Sequence, residues 1–265
     1  MRRLLVAVIA IVGTLFAVPA TAAAASPGYV ALGDSYSSGV GTGTYTLSAT
    51  CKRSTKAYPY LYSGTATGFV ACSGASVDNV RATQLSSVTS SATLVTLTVG
   101  GNDVGFNDVV TRCTAFTSDA TCTNAVNAAM AKIPGMQTNL TKLLGEISSN
   151  APTASIVLLG YPYLYSTGSC GFGQPSLTKR KALHDGADAL DAALKNAVVA
   201  AAVAGSRQFV DVRSIFTGHD ICASSTNRWI NGLNLFNSGE SFHPNSSGQA
   251  NGYLPALQSA LKVAV

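Results

Sequence analysis

The chain has 265 residues, of which 17 are Lys or Arg, 12 are Asp or Glu, and 47% are hydrophobic. Without Arg2 and Arg3, which fall in the leader described next, 15 basic residues face 12 acidic ones, a net charge of +3. That surplus is too small for a nucleic-acid partner, and no basic run exceeds "TKRK" at 178–181. The low charged fraction, with abundant Ala, Ser, Thr and Gly, suits a compact secreted protein.

The first 25 residues read as a signal peptide: a basic "MRR", a run of 15 apolar residues, and the small-residue stretch "PATAAAA". Cleavage after Ala22 or after Ala25 fits the small-residue rule equally. No later segment approaches the ~18 unbroken apolar residues of a spanning helix. The expected product is therefore a secreted, extracellular protein without a stable membrane anchor. Residues 26–265 have the length of one α/β domain, with no repeat or low-complexity linker to divide them, and a monomer is expected.

In chain order, "YVALG" (29–33), "FVAC" (69–72), "LVTLTVG" (94–100), "SIVLLG" (155–160) and "FVDVR" (209–213) are near-continuous apolar runs. Such strands are buried on both faces, as in a parallel sheet covered by helices. Helical patterns separate them at 56–64, 77–85, 119–149 and 176–205, and a closing helix is expected at about 246–263. Pro134 and Gly135 should break or kink the tract 119–149. Ser176 is a plausible N-cap and Gly205 a C-terminal stop. The alternation predicts a doubly wound α/β sandwich.

Cys51, Cys72, Cys113, Cys122, Cys170 and Cys222 form an even set in an exported chain, which points to three disulfides. Many pairings are open to six cysteines. Joining neighbours in order, as Cys51–Cys72, Cys113–Cys122 and Cys170–Cys222, would pin three loop regions and is the expected pattern. No Cys-x-x-Cys occurs and no His stands at ligand spacing from a Cys pair, so no metal and no cofactor is expected.

In open α/β sheets, ligands bind outside the carboxyl ends of the strands. Ser35, "CSGAS" (72–76) and "GGNDVGF" (100–106) follow the first three runs, and "SFHPN" (241–245) lies in the long loop after the fifth. All four polar clusters therefore fall at one sheet edge. A serine hydroxyl needs a neighbouring base to act as nucleophile, and the tetrahedral intermediate needs fixed donors. Ser35 is then the nucleophile, with its own N–H, the Gly74 N–H and the Asn102 amide as an oxyanion hole. Of the three histidines, His184 lies in a strongly helical stretch and His219 sits close to Cys222. His243, made extended by Pro244, is the candidate base.

These four blocks resemble those of the SGNH, or GDSL-type, hydrolases over almost the whole chain after the leader. The disulfide-rich exported form is most similar to secreted bacterial lipases, including phospholipase A1 enzymes. The resemblance implies a flavodoxin-like three-layer α/β/α sandwich with a five-stranded parallel sheet. It also implies a Ser-His acyl-enzyme mechanism on a lipid or other ester, with the lipid–water interface as a possible place of action. The family places Asp three residues before the catalytic His; here that position is Glu240. Some secreted members use a backbone carbonyl two residues before the His instead, here Ser241. Either acceptor fixes the ring, but only a carboxylate adds charge stabilisation. The alternatives are a carbohydrate deacetylase or thioesterase on the same fold, or a secreted binding protein without catalysis.

Overall fold

The computed structural model describes residues 28–263; the expected signal peptide at 1–25 lies outside them. Four strands, β1 (Tyr29–Ala31), β2 (Leu94–Leu97), β3 (Ser155–Leu159) and β4 (Arg207–Val210), form one parallel sheet in that spatial order. Every residue of β1 and β2 is buried, as continuous apolar runs require. The edge strand β4 is only half-buried and carries Arg207 and Gln208.

The expected strand at 69–72 is reduced to a single bridge, Ala31↔Phe69, so the sheet has four strands where five were expected. The backbone shows why. The N–H groups of Val70 and Ala71 both donate to the Ala31 carbonyl, at 2.9 and 3.1 Å. Two donors on one acceptor insert an extra residue and interrupt the ladder. The segment still flanks β1: Ala31 N–H donates to Gly68 O on this side, whereas Leu32 N–H donates to Thr96 O on the other. The chain thus leaves β1 towards one side and crosses to the other for β2. Their carboxyl ends border a topological switch point, where this architecture leaves a crevice.

Helices cover the sheet in two groups. α3 (Val77–Thr83), α7 (Ile133–Asn150) and α8 (Leu177–Ala200) pack together, with α6 (Asp119–Met130) against α8. α2 (Tyr58–Ser63) packs with α9 (Leu254–Val263). Leu140, Leu143, Leu144 and Ile147 place the buried stripe of α7 at helical spacing. Each such side chain contributes about 1.5–3 kcal/mol by leaving water. Ser76 and Asn79 cap α3 reciprocally, and the Ser176 hydroxyl accepts from Lys179 N–H at the start of α8.

Three local expectations are refined. The 119–149 tract breaks between α6 and α7, with Pro134 in the first turn of α7, where its missing N–H is harmless. The helix α8 ends at Ala200, well before Gly205. Gly205 instead sits where an added Cβ would lie 2.4 Å from the Ala154 carbonyl. The closing helix begins as a π-turn over Gly248–Tyr253, two residues before Pro255. The proline ring and missing N–H disfavour a regular α-turn at that point. Cys51–Cys72, Cys113–Cys122 and Cys170–Cys222 are each joined as a disulfide.

Candidate active site

The turn after β1 is held from several directions. Gly33 has φ +121°, and an added Cβ would lie 2.4 Å from Thr98 O. Gln84 grips its peptide on both sides: Gly33 N–H donates to Oε1 at 2.7 Å and Gln84 Nε2 donates to Gly33 O at 2.9 Å. Asp34 then caps the short helix α1 (Ser35–Ser38). Its Oδ1 accepts from Tyr36 N–H at 2.9 Å and from the Thr98 hydroxyl at 2.6 Å, and its Oδ2 from the Tyr161 hydroxyl at 2.5 Å. Burial pushes the Asp34 carboxyl up to about 6, against the opposing pull of these hydrogen bonds. Ser35 is the first residue of α1, a position whose N–H has no helical acceptor.

His243 arrives from the far end of the chain. Phe242 N–H donates to Asn231 O and Asn231 N–H donates to His243 O, both at 2.9 Å, forming an antiparallel clamp around the bridge Ile230↔Pro244. Asn231 Nδ2 also donates to Gly41 O at 2.8 Å, tying the 40–55 loop to the same clamp. His243 Nε2 lies 2.8 Å from Ser35 Oγ, and Nδ1 lies 2.7 Å from Ser241 O. A carbonyl can only accept, so this geometry assigns the ring proton to Nδ1 and leaves the Nε2 lone pair facing the hydroxyl. Burial lowers the His243 pKa to about 4, while the Ser241 carbonyl and the Glu240 charge pull it upward. The ring is therefore neutral at pH 7.

Glu240 makes no hydrogen bond to the His243 ring. Its Oε1 accepts from the Tyr45 hydroxyl, and its Oε2 is buried without a partner. Asn102 stands in the short helix α4 (Gly101–Val104) beyond β2, followed by α5 (Phe106–Arg112), and its Nδ2 donates to Ala75 O at 3.0 Å. Its neighbour Asp103 accepts Val77 N–H with both oxygens at 3.1 Å. Together they fasten the Gly74 loop to the end of β2, while Cys72 N–H donates to Gly33 O and fastens it to β1. Gly74 is exposed with φ +81°, and an added Cβ would meet nothing within 4 Å. A glycine is needed there for its backbone conformation, not for crowding by the protein.

The other two histidines are elsewhere. His184 Nε2 lies 2.5 Å from Tyr165 O with its ring stacked on Tyr163. His219 Nδ1 lies 2.6 Å from Asn227 O with its ring stacked on Trp229.

Sequence reasoning missed the supporting residues Asp34, Tyr36, Tyr45, Gln84, Thr98, Tyr161 and Asn231. Asp34 carried a readable signal, being a cap-forming residue directly before Ser35. Tyr161 follows β3 at the same sheet edge, so the strand-end rule could have reached it. Gln84 had no local signal.

Tyr36, the residue after Ser35, lines an apolar cavity of about 90 Å³ together with Phe106, Ile133, Tyr161, Leu164 and Leu190 among others. The Tyr36 and Phe106 rings also face His243, with centroids 5.3 and 6.1 Å from the imidazole. A neutral base on a hydroxyl, at a strand-to-helix turn beside an apolar cavity, suits acyl transfer on an ester with an apolar arm.

Comparison with known proteins agrees with this chemistry. Residues 31–250 match the model of the GDSL-like Lipase/Acylhydrolase family. The chain is 43% identical over 251 residues to Lipase 1 of Streptomyces coelicolor, covering 91% of each. The crystal structure of phospholipase A1 from Streptomyces albidoflavus superposes with a TM-score of 0.81 at 38% identity, covering 89% of this chain and 99% of that one. The extracellular lipase of Streptomyces rimosus gives 0.80 at 41% identity, covering 89% of this chain and 100% of that one. The fold, the order of the motifs along it and these matches agree: the chain belongs to the GDSL-like lipase/acylhydrolase family of carboxylic-ester hydrolases.

Proposed function

We propose that this carboxylic-ester hydrolase works through an acyl-enzyme on Ser35, with His243 as the base and the Ser241 carbonyl as the group that orients it. The observation that carries the reading is the chain Ser35 Oγ, His243 Nε2, His243 Nδ1, Ser241 O, with contacts of 2.8 and 2.7 Å at its two ends. Ser35 Oγ attacks the acyl carbonyl while Nε2 takes its proton. The oxyanion is received by the N–H groups of Ser35 and Gly74 and by Asn102 Nδ2. Collapse of the intermediate breaks the ester C–O bond, and the imidazolium returns its proton to the departing alcohol. Water then attacks the acyl-Ser35 with His243 again as base, releasing the acid and restoring the hydroxyl.

The acyl chain lies in the apolar cavity beside Tyr36 and Phe106, which gives a lipid ester as substrate. The names of the relatives, lipase and phospholipase A1, favour triglyceride or phospholipid over a small soluble ester. Residues 1–25 export the chain as a signal peptide, and 26–265 make one hydrolase domain. Three disulfides suit an oxidising, extracellular destination. Among the described residues no helix is long and apolar enough to cross a membrane.

Labelling with an organophosphonate tests the reading. One adduct on Ser35, absent from Ser35→Ala, is expected. An unlabelled but folded protein, or an adduct on another residue, would overturn it. A series of p-nitrophenyl esters, with phosphatidylcholine analysed by position of cleavage, identifies the preferred substrate.

A further inference from the structure

Among the described residues, eight large apolar side chains are exposed, and five of them (Phe116, Phe172, Leu233, Leu235 and Phe236) lie on three loops. Phe116, Leu233 and Leu235 line one surface hollow, together with Gly173 and with Phe242, the residue before His243. Leu235 and Phe236 line a second hollow with Glu240 and Gly41, on the same side of the site. Phe172 adjoins Gly173. Three segments distant in sequence therefore bring their apolar tips to the rim of the histidine side of the active site.

The display is built, not incidental. Phe116, Phe172, Leu235 and Phe236 are 83, 108, 77 and 103% exposed. The Cys113–Cys122 disulfide staples the first loop three residues before Phe116, and Cys170–Cys222 staples the second two residues before Phe172. In the third, Asn234 Oδ1 accepts from Phe236 N–H at 3.0 Å and Asn237 N–H at 3.1 Å, a tight turn that turns Leu235 and Phe236 outward. Asn234 N–H is itself held by Ser241 Oγ at 2.9 Å, so the turn is tethered to the His243 segment. Clustered apolar tips held in water mark a surface that meets an apolar partner.

Charge and position indicate which partner. Segments 113–118, 170–177 and 221–239 contain no Asp or Glu and one basic residue, Arg228, which lies on both hollows. The apolar tips thus stand on segments without a carboxylate, with the Arg228 cation among them, and the one carboxylate on the hollows, Glu240, is buried and bonded to Tyr45. Such a rim matches a zwitterionic or anionic lipid surface. A second copy seated on this rim would cover the site, whereas a lipid surface would deliver esters to it.

We propose that the loops carrying Phe116, Phe172, Leu235 and Phe236 form a docking rim that inserts into a phospholipid surface and holds the Ser35–His243 pair against it. The inference rests on the hydrolase reading only for what is delivered to the site; the docking itself is measured without catalysis.

The test sediments the Ser35→Ala protein with phosphatidylcholine vesicles and compares it with the same protein carrying Phe116→Ser, Leu235→Ser and Phe236→Ser. Burial of each such side chain corresponds to about tenfold or more in partition, so the triple variant should bind at least ~100-fold more weakly. A control with Leu61→Ser and Val199→Ser, exposed apolar positions off the rim, should bind as the parent does. With Ser35 intact, the triple variant should lose at least tenfold in vesicle hydrolysis while kcat/KM on p-nitrophenyl acetate stays within about twofold. Equal vesicle binding by parent and triple variant would overturn the proposal. So would equal losses on vesicle and soluble ester, or a parent that is a dimer, becomes a monomer on substitution and never binds vesicles. A parent that binds vesicles through the rim but hydrolyses no acetate ester would uphold the docking and overturn the hydrolase reading.

Discussion

The Tyr36 hydroxyl donates to the Phe242 carbonyl at 2.7 Å, joining the residue after Ser35 to the residue before His243. Phe242 has φ +64°, a left-handed conformation uncommon for a large side chain, and its carbonyl is buried. One hydrogen bond spanning 206 positions thus steadies both halves of the Ser-His pair. Burial raises the Tyr36 pKa, with the Asp34 charge as a smaller contribution, so the phenol remains a donor throughout the working range.

Tyr36→Phe keeps the ring that faces His243 but leaves the Phe242 carbonyl without its donor. Stability should fall by about 1–3 kcal/mol, the cost of a buried unsatisfied acceptor. Loosening of the segment that carries His243, the proposed base, should lower kcat by about tenfold, because small misplacements of a base are costly. Urea unfolding and steady-state kinetics measure the two effects. Wild-type values in both would deny the bond its role.

Glu240→Gln separates the two candidate orienting groups. Gln can still accept from Tyr45, and the Ser241 carbonyl remains on Nδ1. The expected fall in kcat is under about tenfold. A fall of ~10⁴, the loss seen when an essential triad carboxylate is neutralised, would make Glu240 the functional partner of His243.

Asn102→Ala removes the oxyanion donor proposed above and the tie to Ala75 O. A loss of about 10²–10³ in kcat is expected, with KM changed far less, because the donor acts on charge that exists only in the transition state. The Asp103–Val77 contacts still join the two loops, so the thermal midpoint should move little. A mutant altered mainly in KM would place Asn102 in ground-state binding.

The pH profile carries the signature of the buried histidine. With His243 as the proposed base, catalysis needs the neutral ring, and burial lowers its pKa to about 4, so kcat/KM should persist from pH 7 to about 5 and fall towards 4. Its contribution to stability has the same direction. Between the ordinary value of 6.5 and about 4 the unfolded chain binds a proton that the folded ring refuses, so stability is lost as pH falls through that window. Asp34 and Asp191 oppose this trend: burial raises their carboxyls to about 6 and about 7, and their contribution declines as pH rises from about 4. Subtracting the pH dependence of His243→Gln from that of wild type isolates the histidine. An acid limb of kcat/KM centred near 6.5 would contradict the buried environment.

Much of the architecture was legible before any coordinates. Continuous apolar runs at 94–97 and 155–159 could satisfy their burial only in a covered parallel sheet, and Ser176 announced the start of α8 by its side-chain chemistry. The run at 69–72 looked no different in composition, yet it forms one bridge, because the doubling of donors on Ala31 O is set by how the segment meets β1. Gly205 illustrates the same limit, since a helix stop and a close approach to Ala154 O both call for glycine.

The sequence by itself determined the fold class, the sheet edge where polar clusters gather, and Ser35, Gly74, Asn102 and His243 as the residues to examine. Periodicity and residue chemistry are local, and the strand-end rule converts local positions into one shared edge. Only the tertiary structure decided which acceptor faces the His243 ring. At the level of spacing, Glu240 three residues before His243 and Ser241 two residues before it are both within reach. Packing resolves them, because Tyr45 from the 40–55 loop engages the Glu240 carboxylate while the backbone turns the Ser241 carbonyl to Nδ1. Nor could sequence place Tyr36 beneath Phe242 or gather Phe116, Phe172 and Phe236 on one rim. Those relationships depend on contacts between residues far apart in the chain, and only the folded backbone brings them within reach.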